Sequence, residues 1–133
     1  MKKIDGVSVE KLVSEYGSPL FIVYAKTIRD NLKRFRSEFS TKYPKVEVAY
    51  SYKANCLSGV LDIIHNEGAW AEVASGFEYE LARKMEVPGE SIVFNGPYKR
   101  KEELKKAGQW GQMWIPPTYP FEDTIAAYYY NKD

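Results

Sequence analysis

The stretch Val46-Glu47-Val48-Ala49-Tyr50-Ser51-Tyr52-Lys53-Ala54-Asn55 decides how this chain folds. In an extended strand, successive side chains alternate between two faces. Val46, Val48, Tyr50 and Tyr52 then share one bulky, apolar face suited to packing under helices. Glu47, Ala49, Ser51 and Lys53 share the other, which is small and polar and ends in an amine. A strand that keeps space on one side and places a lysine at its C-terminal end suits the floor of a site. An ordinary strand whose last residue reaches solvent has the same pattern, and alternation alone favours that simpler reading.

Outward from this strand the chain reads as a series of short elements. Ser8 is placed to cap a helix carrying Val9, Leu12, Val13 and Tyr16, and Gly17 is placed to end it. Pro19 to Tyr24 is an apolar run of strand type. Thr27 opens a helix with Ile28, Leu32, Phe35 and Phe39 on one face. Its other face carries Arg29, Lys33, Arg34 and Arg36, read as solvated because acidic residues are interspersed. Three βα units follow. Strand 46–52 leads to a helix with Leu57, Val60, Leu61 and Ile64, stopped by Gly68. Strand 70–74 leads to a helix with Phe77, Leu81, Ala82 and Met85, stopped before Pro88. Strand 92–94 leads to a helix around Glu102, Leu104 and Ala107. Repeated βα units predict an α/β fold of parallel strands with right-handed crossovers, in a barrel or a doubly wound sheet alike. The period stops after Ala107. Residues 108–133 are rich in aromatics, and Pro116, Pro117 and Pro120 interrupt any regular element. The expected division is therefore 1–107 and a divergent tail at 108–133.

Composition narrows the function classes. The chain has 133 residues, 44% hydrophobic and 28% charged, enough for one domain with a real core. A net charge of +1 gives no electrostatic case for nucleic acid or an anionic membrane as partner. No apolar stretch reaches the roughly 20 residues of a membrane span or forms a signal-peptide core. The single cysteine, Cys56, rules out an internal disulfide or a cysteine-based metal cluster, and a cytoplasmic setting is the default expectation.

The second strand adds to the case for Lys53. If Ala71 and Val73 face the helices, Glu72 shares the opposite side with Lys53, a carboxylate near an amine. An ordinary ion pair, or a solvated Glu72, would look the same. Ser75-Gly76-Phe77-Glu78 reads first as a capping box, and is also compatible with a helix N-terminus that faces a ligand anion. Asn95-Gly96-Pro97-Tyr98 is a βα turn by composition. His65 is the only histidine, so no dyad or metal site can be built on histidines, and it reads as surface or packing. Cys56 lies near the candidate site without a neighbour that would activate it.

Four segments, in order and in register, resemble the fold-type-III pyridoxal-phosphate-dependent decarboxylases, the ornithine, diaminopimelate and arginine decarboxylase group. Tyr50-Ser51-Tyr52-Lys53-Ala54-Asn55 is similar to the family's Tyr-Ala-x-Lys-Ala-Asn signature. Tyr16 to Tyr24 resembles its amino-terminal Gly-(Ser/Thr)-Pro-(Leu/Val)-(Phe/Tyr)-Val-Tyr segment. Glu72 to Glu78 resembles its Asp-Val-Ala-Ser-x-x-Glu segment, and Ile92 to Lys99 with Glu103, Leu104 and Ala107 resembles its third strand, turn and helix. The Asn95-Gly96-Pro97 turn is closer to the branch with carrier-protein-linked and polyamine-type decarboxylases than to typical diaminopimelate enzymes.

The resemblance implies a partial (β/α)₈ TIM barrel of about three βα units, pyridoxal 5'-phosphate as cofactor, a small amino acid as substrate and a homodimer. It places Lys53 on the Schiff-base lysine. It places Glu72 where the family usually has Asp, beside lysine and cofactor. One extra methylene moves that carboxylate by about 1.5 Å. The family's glycine-rich phosphate loop and the acidic partner of the pyridine nitrogen have no counterpart here, so the chain is expected to be inactive alone. A frameshift, premature stop or gene-fragment product is the expected explanation of the divergent tail. A non-catalytic interaction module is the alternative from another class. An alanine racemase-like protein is a third, disfavoured because Cys56-Leu57-Ser58 follows the lysine motif where that family has Ala-Tyr-Gly-His.

Overall fold

The structure is a computed structural model that describes residues 2–43, 45–96 and 100–109. It opens on a hairpin that the sequence reading missed. Strands β1 (Lys3–Ile4) and β2 (Val7–Ser8) pair antiparallel, with Lys3 opposite Ser8 and Ile4 opposite Val7. Asp5 and Gly6 between them have φ of 49° and 82°. Two left-handed residues make the two-residue turn that Asp-Gly favours, so the signal was present in the dipeptide. Helix α1 (Val9–Tyr16) follows as expected: the Ser8 hydroxyl accepts from the Lys11 amide at 3.1 Å, and Gly17, at φ 84°, ends it.

The run 19–24 belongs to no sheet, against expectation. Its apolar residues from Leu20 to Tyr24 are exposed, Phe21 at 95%. A strand exists through its ladder partners, and none of the described residues pairs with this run. Helix α2 (Ala25–Ser40) starts two residues before Thr27, because the Tyr24 carbonyl already accepts from the Ile28 amide at 3.1 Å. Ile28 and Leu32 pack against Val60, Ile64 and Ala69, while Phe35 and Phe39 stay exposed against each other. The basic face is not simply solvated. Arg36 donates to the Glu67 and Gly68 carbonyls at 3.0 Å each, and Arg29 and Lys33 lie 3.4 and 3.2 Å from the Glu67 carboxylate. The cations sit at a helix C-terminus, where carbonyls lack intrahelical donors and the dipole is negative.

The three βα units are present: β3 (Ala49–Ser51) with α3 (Ser58–Asn66), β4 (Trp70–Val73) with α4 (Gly76–Lys84), and β5 (Ile92–Phe94) with α5 (Lys101–Gln109). The strands form one parallel sheet in the order β3-β4-β5. Regular pairing in β3 is shorter than the predicted 46–52, although backbone bonds reach one residue further each way, at Val48 and Tyr52.

The core lies on one side only. Ala71, Val73, Ile92 and Phe94 from the strands and Tyr52 just beyond β3 pack with Leu61 of α3, Tyr79 and Ala82 of α4 and Ala107 of α5. On the opposite face Ala49 is exposed, and Ser51, Trp70, Glu72 and Val93 remain partly open. A doubly wound sheet places helices on both faces and reverses its strand order. Consecutive strands with every crossover helix on one side are the geometry of a (β/α) barrel wall. Helix α5 runs through the expected boundary at 107, and the tail from 110 onward lies outside the described residues.

Candidate functional site

Lys53 lies on the turn that leaves the C-terminal end of β3, closed by the Ala54 amide donating to the Ser51 carbonyl at 3.1 Å. Its side chain is exposed. Ser51 is paired in register with Glu72, and Glu72 with Val93. Paired residues of neighbouring parallel strands point to the same face. Ser51, Glu72 and Val93 therefore form one row across the open face, with Lys53 beyond its β3 end. Glu72 lies on this open face and Lys53 in the turn just past it, and none of the ion pairs among the described residues joins them. Within the row, the Ser51 hydroxyl oxygen is buried and has no hydrogen-bond partner among the described residues. An unsatisfied buried hydroxyl costs about 1–3 kcal/mol, so this face carries a polar group with no partner of its own.

Behind the row stands a polar arrangement that the sequence reading did not find. Tyr52 is fully buried, and its hydroxyl lies 2.7 Å from His65 Nε2. His65 Nδ1 lies 2.9 Å from the Ala69 carbonyl. A carbonyl only accepts, so Nδ1–H donates to Ala69 and Nε2 accepts the Tyr52 proton. His65 is thus a packing residue, as expected, but one with two specific partners. The signal available was weak: one histidine 13 positions after a tyrosine on the helix-facing side of a strand.

Burial pushes the Tyr52 hydroxyl up from 10.0 to about 12. A raised value means that its contribution to stability is complete below pH 10 and is lost as pH rises from 10 through about 12. Burial also raises Tyr50 and Tyr79. An ultraviolet titration of tyrosinate should show a last phenol ionising near pH 12, and Tyr52→Phe should remove that step. A wild-type titration complete near pH 10 would contradict the burial of Tyr52.

The start of α4 is a modified capping box. Ser75 Oγ accepts from the Glu78 amide at 3.3 Å, and Glu78 Oε2 accepts from the amide of Ala74, one residue before the cap, at 2.5 Å. The Glu103 carboxylate lies against Gly76, where an added Cβ would come within 2.5 Å of Oε1. The capping reading therefore holds. Asn55 Oδ1 accepts from the Leu57 amide at 3.0 Å, holding the entry into α3. Asn95 is exposed and Gly96 buried; Pro97 and Tyr98 lie outside the described residues, as does any role for them in a site. Cys56 is exposed. No cluster of metal-ligating side chains occurs among the described residues, and none of their helices is long and apolar enough to cross a membrane.

A parallel sheet of consecutive strands covered by helices on one side is part of a barrel wall, and barrel sites form at the C-terminal ends of such strands. Residues 25–116 match the family described as pyridoxal-dependent decarboxylase, pyridoxal binding domain, and the chain belongs to this family. Diaminopimelate decarboxylase of Methanocaldococcus jannaschii is 34% identical over 105 residues, covering 76% of this chain and 24% of that protein. The Bacillus subtilis diaminopimelate decarboxylase is 34% identical over 105 residues, covering 79% of this chain and 24% of that protein. The chain thus spans about a quarter of the length of these relatives. They are diaminopimelate decarboxylases, whereas the sequence Asn95-Gly96-Pro97 leads to the expectation of the other branch.

Among solved structures, M. jannaschii diaminopimelate decarboxylase in complex with L-lysine superposes with a TM-score of 0.76 at 29% identity, over 85% of this chain and 27% of that one. A lysine/ornithine decarboxylase of Vibrio vulnificus complexed with putrescine gives a TM-score of 0.72 at 24% identity, over 90% of this chain and 32% of that one, a likeness of fold. The fold is accordingly part of a TIM barrel, and pyridoxal phosphate is the cofactor of the family. The residues present fit the aldehyde end of that group: an exposed amine just past the strand end, and two residues before it a buried hydroxyl with no partner among the described residues.

Proposed function

We propose that this chain supplies the amino-terminal wall of the cofactor site in a pyridoxal-phosphate-dependent amino-acid decarboxylase, with Lys53 as the covalent anchor and Glu72 beside the cofactor. The observation that carries this reading is the position of Lys53 in the exposed turn that leaves the C-terminal end of β3, in a sheet whose helices cover one face only. When bound, the pyridoxal ring supplies an electron sink for the pair left on Cα as carbon dioxide departs. Lys53 offers the amine that holds the aldehyde carbon. Ser51 offers a hydroxyl in the same face, and Glu72 a carboxylate one strand over. The helices behind exclude water from one side of the sheet only. The substrate is a small amino acid, the assembled enzyme a homodimer, and the setting the cytoplasm. The chain alone is proposed to be inactive in decarboxylation, since it spans about a quarter of the length of the decarboxylases it matches.

Incubation with pyridoxal phosphate, borohydride reduction and peptide mapping tests the anchor. Lys53 should carry most of the label. Label spread evenly over the exposed lysines would overturn the assignment.

A further inference from the structure

We propose that Tyr52 and His65 form a buckle that positions Lys53: the hydroxyl–imidazole–carbonyl chain from Tyr52 through His65 to Ala69 locks the turn that carries the anchoring amine. The inference rests on the reading of Lys53 as that anchor. Tyr52 is the residue immediately before Lys53, and its two ends are held separately. Its backbone amide donates to the Glu72 carbonyl at 3.0 Å. Its hydroxyl reaches His65 in the last turn of α3. His65 in turn holds Ala69, the residue that enters β4.

The connections close a ring. From Tyr52 the path runs through His65 and Ala69 along β4 to Glu72 and back across the sheet to Tyr52. Lys53 and Glu72, the two residues proposed to meet the cofactor, are attached to that ring at adjacent points. Nothing in core packing requires this chemistry. Tyr52 sits at zero exposure among Leu61, Val73 and Phe94, where phenylalanine would bury the same ring without a hydroxyl to satisfy. A buried polar pair that is fully satisfied adds geometric definition more than net stability. The feature it defines here is the direction in which the chain leaves β3, because the Ala54 amide, two residues on, closes the Lys53 turn on Ser51. A drift of that turn moves the Lys53 backbone from which the amine reaches out.

The test uses the full chain, pyridoxal phosphate as probe, and two readouts: borohydride-trapped label at Lys53, and hydrogen exchange of the Ala54 amide relative to the Ala71 amide in the core strand. Tyr52→Phe should lower label at Lys53 about tenfold and speed Ala54 exchange by a similar factor while leaving Ala71 protected, as loss of roughly one satisfied hydrogen bond implies. His65→Leu should do the same. His65→Gln, which keeps both a donor and an acceptor, should recover most of the label and provides the check if Tyr52→Phe folds poorly. Lys53→Ala should abolish the label at that position and leave Ala54 exchange unchanged. If wild type is labelled at Lys53 and both Tyr52→Phe and His65→Leu are labelled equally well, the buckle is overturned while the anchor stands. If wild type is not labelled at Lys53, the anchor reading fails, and the buckle falls with it.

Discussion

Lys53→Arg is expected to reduce borohydride-trapped pyridoxal phosphate by roughly two orders of magnitude, to the level of adventitious labelling. The substitution separates two explanations that Lys53→Ala cannot. Arginine keeps a cation at the strand end, so any purely electrostatic attraction for an anionic cofactor survives. It offers no free amine, because the guanidinium remains protonated at every accessible pH. Loss of trapping with retained reversible binding therefore identifies a covalent role. Equal trapping in wild type and Lys53→Arg, with the label elsewhere, would show that the amine at position 53 is incidental. The fold should tolerate the change, since Lys53 is exposed and joins no ion pair among the described residues.

The parts legible in the sequence were those fixed by alternation and short-range chemistry. Tyr52 and Ala71 point to the helices and Glu72 to the open side, as the period of two requires. Ser8, Gly17 and Ser75 begin or end helices where their chemistry suggested. The misses came from partners distant in the chain. Residues 19–24 have strand composition but no ladder to join. Arg29, Lys33 and Arg36 look like a solvated face until Glu67 and the end of α3, some thirty positions on, are brought beneath them. Periodicity could not choose between a barrel and a doubly wound sheet, because that choice depends on which side each helix returns. For the candidate site, pattern alone left Lys53 an ordinary strand-end residue. The open face and the unsatisfied Ser51 hydroxyl on it, two residues before Lys53, are the information that only the assembled sheet contains.

Phe94→Ala is expected to destabilise the chain by about 3–5 kcal/mol, the usual cost of truncating a buried phenylalanine. Phe94 is fully buried, lies in the core cluster with Ala71, Val73 and Ile92, and stacks on Tyr79 with ring centroids 6.1 Å apart. Small domains hold only about 5–15 kcal/mol in total, so urea unfolding should begin at much lower concentration or lose its cooperative step. The neighbouring substitution Val93→Ala gives the contrast. Val93 lies one residue earlier in β5, on the open face, and should lose less than about 1 kcal/mol. A one-residue step that changes the cost several-fold is the thermodynamic signature of a sheet covered on one side. Similar losses at both positions would mean that the face holding Ser51 and Glu72 is packed in solution. An anchoring amine at its rim would then have no open surface on which a cofactor can lie.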